Sequence, residues 1–299
     1  MAKPRKLTLE ELRKGMRVFL DFPAVEQAIQ EEVKQTVGKI LLSKAQNGGR
    51  APVDVMADYL NAGTETEERI KVVTGFSRGS LEKVKRIYEA MFPDERWSQI
   101  WHDEKKRRRI AAFLVNQADA EIFVPPFIRN NFFLPDNWIE LLQAEAYLQT
   151  LVRANMQSKY AVRIGEALED ETREIVESAG FSHGKGAVGI VDDKQVDVAI
   201  PDTSSPLFLI MASYQMTTSS AQSSKANEQQ RMYQEVRNHN SKRQQRDQPD
   251  VLFINVIDGG GWLARPNDLQ IMWSACDYCF SRSNLDGVRE VLQHYYTLV

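Results

Sequence analysis

Asp197 interrupts the aliphatic run Val196 to Ile200, where a carboxylate is costly unless something binds it. A hard divalent cation is the natural partner for such a group, and a cation held this way activates water and stabilises charge in phosphodiester hydrolysis. Asp197 is therefore the first candidate metal ligand. Glu166 and Glu169 lie one turn apart in RIGEALEDETREIVESAG and share a helix face, with Glu169 the preferred second ligand. Lys225, on a later helix, is the candidate cation for holding a scissile phosphate or lowering the pKa of the attacking water.

The strands that would position Asp197 run from Gln195 to Ile200 and from Leu207 to Tyr214, joined by the connection Pro201 to Pro206. They should pair as an antiparallel hairpin, with Asp197 opposite Leu209 to Met211. Strand periodicity puts positions 211 and 213 on one face, where a second carboxylate and a lysine would complete the site. The sequence has Met211 and Ser213 there instead. A thioether is a soft, weak ligand, unsuited to magnesium. Asp202 falls in the connecting loop, where aspartate commonly serves turn geometry.

The surrounding elements read as two parts, a helical domain over 1–155 and an α/β domain over 156–299. Apolar residues recur at three- and four-residue spacing in Val25 to Leu42, Leu81 to Phe92 and Trp138 to Val152. Beyond Ala161 the expected order is helix (161–179), strands (187–192, 195–200, 207–214), helix (221–240) and strand (251–257). This is an αβββαβ succession. Ser241 to Pro249 reads as a surface loop, and Asp258 to Trp262 as a tight turn lacking the ending of a phosphate-binding loop. The apolar stretches fall short of the ~20 residues of a membrane span, and a cytoplasmic protein is expected. Cys276 and Cys279 form a lone CxxC without two obvious further zinc ligands, and read as reduced thiols on a C-terminal helix.

A net charge of −3 neither demands nor excludes nucleic acid, so local charge must decide. Glu65 to Met91 has the grammar of a helix-turn-helix, with a turn at Thr74-Gly75 and a second helix opening at Ser77 or Ser80. Ser77, Arg78, Ser80, Lys83 and Lys85 would then face duplex DNA, Arg78 being the best candidate base reader. The alternative is an ordinary helical hairpin with a solvated charged face. The basic run Lys105 to Arg109 offers phosphate partners if it faces the same way.

Several segments resemble, in the same order, the type II restriction endonucleases of the DpnII and MboI kind. They are Asp21-Phe22-Pro23, RIGEALED (Arg163 to Asp170), VDVAI (Val196 to Ile200), LFLIMASY (Leu207 to Tyr214), KANE (Lys225 to Glu228) and IDGGGW (Ile257 to Trp262). The resemblance implies a PD-(D/E)xK nuclease core, Mg2+, a homodimer acting on a short palindrome such as GATC, and a cognate DNA methyltransferase. It assigns metal and catalytic roles to Glu169, Asp197 and Lys225. Met211 departs from it, standing where the family has a glutamate. The insertion Thr217 to Gln222 also departs, and Gln222 is counted among the expected DNA contacts. Three accounts of Met211 stay open: an inactivating substitution, a carboxylate supplied by Glu169 or Glu228, or a DNA-binding protein without catalysis.

Overall fold

LFLIMASY shows no polar alternation, as a strand buried on both faces requires. The computed structural model, which describes residues 3–61, 66–76, 81–115, 134–218 and 221–296, makes it the centre of a five-stranded sheet. Helices α1 (Leu9–Gly15), α2 (Pro23–Ile40), α3 (Lys44–Asn47), α4 (Pro52–Leu60), α5 (Thr66–Phe76), α6 (Leu81–Met91), α7 (Glu104–Leu114), α8 (Trp138–Gln143) and α9 (Glu145–Ser178) come first. Then follow β1 (Gly184–Val188), β2 (Lys194–Ile200), β3 (Phe208–Tyr214), α10 (Ala221–Gln244) and β4 (Leu252–Asp258). The chain continues through α11 (Gly260–Leu263), α12 (Pro266–Ser274), β5 (Tyr278–Phe280) and α13 (Asp286–Tyr296). The expected order of helix, three strands, helix and strand is present, with β5 in addition.

Contacts divide the chain into Met1–Val25 with Lys159–Val299, and Glu26–Ser158. The boundary read at 155/156 therefore needs correcting at the N-terminus, whose first 25 residues belong with the sheet. Long-range hydrogen bonds hold them there: Trp273 Nε1 donates to Leu7 O at 2.8 Å, and Arg17 N to Asp258 Oδ1 at 2.6 Å. Local sequence patterns carry no sign of such contacts.

In the sheet unit the strands run in the order β1 to β5, antiparallel across β1, β2 and β3 and parallel across β3, β4 and β5. One face packs Leu209, Phe253 and Ile257 against Ala226 and Val236 of α10 and Leu269 and Met272 of α12. The other packs Ile210, Ile254 and Val256 against Ile164 and Leu168 of α9 and Val288 and Val291 of α13. Strands sandwiched between two helical layers read as continuous apolar runs for this reason. Cys276 precedes β5 and Cys279 lies on it, both buried and free; the expected C-terminal helix begins only at Asp286.

Of the helical unit, α4 packs on α7, and an Arg108–Asp54 ion pair of 2.5 Å joins them. Arg109 pairs with Glu95 and lies over the Phe92 ring, so part of the basic run is engaged within the protein. The expected turn at Thr74-Gly75 is absent, because α5 continues through both residues to Phe76. Ser77, Arg78 and Ser80 lie outside the described residues, as does the side chain of Lys83, while Lys85 is half-buried on α6.

At the end of β4 the three glycines are needed for close backbone approach. Gly259 has φ 109°, and a Cβ there would lie 2.2 Å from Gln215 O. A Cβ at Gly261 would lie 2.5 Å from Thr217 O. This lets Gly261 N donate to Gln215 O at 2.8 Å and Gly260 N to Val18 O at 2.9 Å. Gly259→Ala combines an unfavourable φ with a backbone collision and should destabilise the fold by about 3 kcal/mol or more. Urea unfolding measures this; a loss below about 1 kcal/mol would show that the turn relaxes.

Candidate active site

Asp197 stands where the pairing of β2 changes on both sides. Toward β3 the ladder runs Ile200↔Phe208, Ala199↔Leu209 and Val198↔Ile210. One step further Asp197 meets Met211, but here its own carboxylate takes over, Oδ2 accepting the Ala212 N–H at 2.8 Å. Toward β1 the register slips by a residue between Gly184↔Ala199 and Gly186↔Val196. Asp197 and Val198 together therefore oppose the single residue Lys185, the arrangement of a β-bulge. The slip breaks the alternation of β2: Val196 and Ala199 pack on one face, Val198 and Ile200 on the other.

Helices on the two faces bring charged groups to this break. Glu169, half-buried on α9, binds Lys185 Nζ at 2.7 Å and has Arg173 Nη1 at 3.8 Å. Lys225 lies in the first turns of α10, also half-buried. Burial pushes the Asp197 carboxyl above the usual carboxylate range, Ala212 N–H opposes this, and the Glu169 charge adds to it; Lys225 and Lys185 oppose it. Burial pushes Lys225 below the usual lysine range, against the pull of Asp197, Glu169 and Glu228. These mutual influences place Asp197, Glu169, Lys185 and Lys225 in one electrostatic neighbourhood.

The remaining expected residues are distributed unevenly. Glu166 is exposed on α9, and Glu228 forms an exposed pair with Lys194 at 2.8 Å. Met211 is half-buried and packs against the apolar cluster beneath α10 and α12. Ser213 is 1% exposed, and its hydroxyl has no hydrogen-bond partner among the described residues. Gln222 is 0% exposed rather than facing DNA. The physical reason is helical: residues 222, 226 and 229 form the inward stripe of α10, all buried. Asp202 does serve the loop, its Oδ1 accepting Ser204 N at 2.8 Å and Ser205 N at 2.9 Å.

Sequence reasoning missed Lys185. The expected strand begins only at 187, past Gly184 and Gly186, although isolated glycines inside a strand are themselves a sign of a bulge or a close approach.

Two hard carboxylates are thus available for a cation. Asp197 Oδ1 accepts no hydrogen bond among the described residues, and Glu169 reaches the same neighbourhood. Among the described residues searched, no group of three or more Asp, Glu, His or Cys side chains is placed to hold a metal. One or two carboxylates nonetheless suit magnesium, which keeps several waters and takes substrate phosphate as a further ligand. The donor set fits in that sense.

Residues 140–296 match the family described as the BanI C-terminal domain, and the chain belongs to that restriction endonuclease family. In general class it is a type II restriction enzyme, and so a protein that binds DNA. The match takes in the whole sheet with α9 to α13. No curated protein and no solved structure matches the chain. Among the described residues, no helix is long and apolar enough to cross a membrane.

Asp197→Asn retains an oxygen for Ala212 N–H but removes the buried charge. Since the folded pKa lies above the unfolded one, the cost of that charge is full above the folded pKa and vanishes below about 3.9. The variant should be more stable than the parent at pH 7, by on the order of 1 kcal/mol, with the gap closing as pH falls to about 4. Unfolding midpoints at the two pH values check this. No gain at pH 7 would mean that the lysines fully offset burial.

Proposed function

We propose that this protein is a magnesium-dependent endonuclease that cuts duplex DNA at a short palindrome, on a PD-(D/E)xK core. The observation that carries the reading is Asp197: a half-buried strand carboxylate with one oxygen used by the backbone and the other left for a ligand. Asp197 and Glu169 would hold the cation, which when bound supplies a water of lowered pKa and charge stabilisation at the phosphorus. Lys225, sharing their neighbourhood, holds the scissile phosphate and orients the attacking water beside it. Burial, which lowers its pKa below the usual lysine range, weakens its grip on its own proton. Ser213 lies at the position expected for a lysine and adds an uncharged hydroxyl.

A palindrome calls for two copies related by a twofold axis, hence a homodimer, and cutting it calls for a methyltransferase to protect the host's own sites. The helical domain supplies DNA recognition. GATC is the first sequence to test, on the strength of the DpnII and MboI resemblance. A second reading, a DNA-binding protein without catalysis, is favoured by one observation: Met211 packs into an apolar cluster where a third carboxylate would stand.

Plasmid DNA incubated with Mg2+ and with the protein, Asp197→Ala or Met211→Glu separates the two readings. Endonuclease activity should disappear in Asp197→Ala and rise at least about tenfold in Met211→Glu, a change of about 1.4 kcal/mol in the barrier. Unchanged cleavage in Met211→Glu would remove position 211 from the site. Specific binding without cleavage in the parent and in Met211→Glu alike would favour the silent binder.

A further inference from the structure

Lys185 has no part in the scheme above, yet it stands directly across from Asp197 at the register slip. Its ammonium lies 2.7 Å from Glu169 Oε2 and acts on the Asp197 charge. The side chain is 54% exposed, so the pair with Glu169 lies at the surface and holds weakly. Gly184 and Gly186 on either side present no side chains, and Thr203 of the hairpin loop packs beside them, so Lys185 is the one long side chain of this stretch of β1.

The cluster is electrically balanced in the absence of a cation, with Asp197 and Glu169 against Lys185 and Lys225. A divalent cation on the two carboxylates would repel both lysines. Lys225 is half-buried, whereas Lys185 has a mostly exposed, four-carbon stem and is free to swing away. The anion that duplex DNA brings to a displaced ammonium is a backbone phosphate.

We propose that Lys185 is a metal-gated phosphate contact: it neutralises Glu169 while no cation is bound, and moves to a phosphate of the duplex once a cation takes the carboxylates. The role rests on the reading of Asp197 and Glu169 as cation ligands. It couples cation loading to DNA binding, because one lysine serves the carboxylates or the DNA, never both. It also reserves the full set of DNA contacts for the state that is competent to cut.

The salt dependence of duplex binding tests this, measured by fluorescence anisotropy with Ca2+, as a non-cleaving substitute for magnesium, and again with EDTA. Each phosphate contact contributes roughly 0.9 to the slope of log K against log salt. Lys185→Gln should lose about that much slope in Ca2+ and none in EDTA, while Lys185→Arg keeps the parent slope in both. An unaltered slope in Ca2+, or an equal loss under both conditions, overturns the proposal. The exposed position makes loss of fold an unsuitable explanation, and a thermal melt of each variant checks that directly. Asp197→Ala separates the two levels of inference. If Ca2+ strengthens binding by the parent only while Asp197 is present, the ligand assignment stands and Lys185→Gln alone decides the gating. If Ca2+ has no effect on the parent, or the same effect without Asp197, both fall together.

Discussion

The sheet unit is organised around an unfavourable requirement, a carboxylate held inside a β-sheet. At Asp197 an uninterrupted ladder would direct the charge into one of two apolar layers, where nothing could solvate it. The register slip against β1 and the departure from β3 relieve that conflict at one point. They free the carboxylate to accept a backbone N–H from β3 and to sense lysines arriving from β1 and α10. Glu169 then has a reason to be half-buried on α9, since Lys185 and Arg173 balance its charge. Four elements converge on this break, so catalysis, if built anywhere in the unit, is built on rigid supports rather than on loops.

Asp258 shows what a purely structural aspartate looks like in the same sheet. It is fully buried at a strand position where Asp197 is half-buried, and burial raises its pKa as it does that of Asp197. Both of its oxygens, however, are occupied by backbone donors: Oδ1 by Arg17 N and Gly259 N, Oδ2 by Arg282 N. It ties the N-terminal segment, the glycine turn and the approach to α13 to the end of β4. The direction of the pKa shift alone would rank the two residues together. The unused oxygen of Asp197, with a second carboxylate nearby, is what sets it apart from this brace.

Asp197 was legible because a carboxylate in an aliphatic run has few physical explanations, and the strands were legible because both faces of β3 and β4 are apolar. Lys225 and Glu169 were candidates from their chemistry and helix positions, and the resemblance added weight to both. Lys185 was invisible for a definite reason: the expected strand began at 187, so the residue fell outside it. Pairing register is a long-range property, and a slip of one residue leaves no periodic trace in either strand. The same limit hid the placement of the first 25 residues, which depends on hydrogen bonds to positions more than 200 residues away. Gln222 failed differently: the helix start at 221 was legible, but which face of α10 turns to the sheet is set by tertiary packing, and 222 falls on the stripe with 226 and 229.

Met211 takes on a clearer meaning once the charges are counted together. Asp197 and Glu169 are balanced by Lys185 and Lys225, and Arg173 is shared with Asp170 on its own helix. A glutamate at 211 would add a third negative charge to a half-buried position, and the cation-free cluster would be left with an excess that only a bound metal could offset. A thioether there instead fills space against the apolar layer and keeps the resting cluster neutral. Metal affinity and the stability of the metal-free fold therefore pull in opposite directions at this position. The residue found there favours the fold.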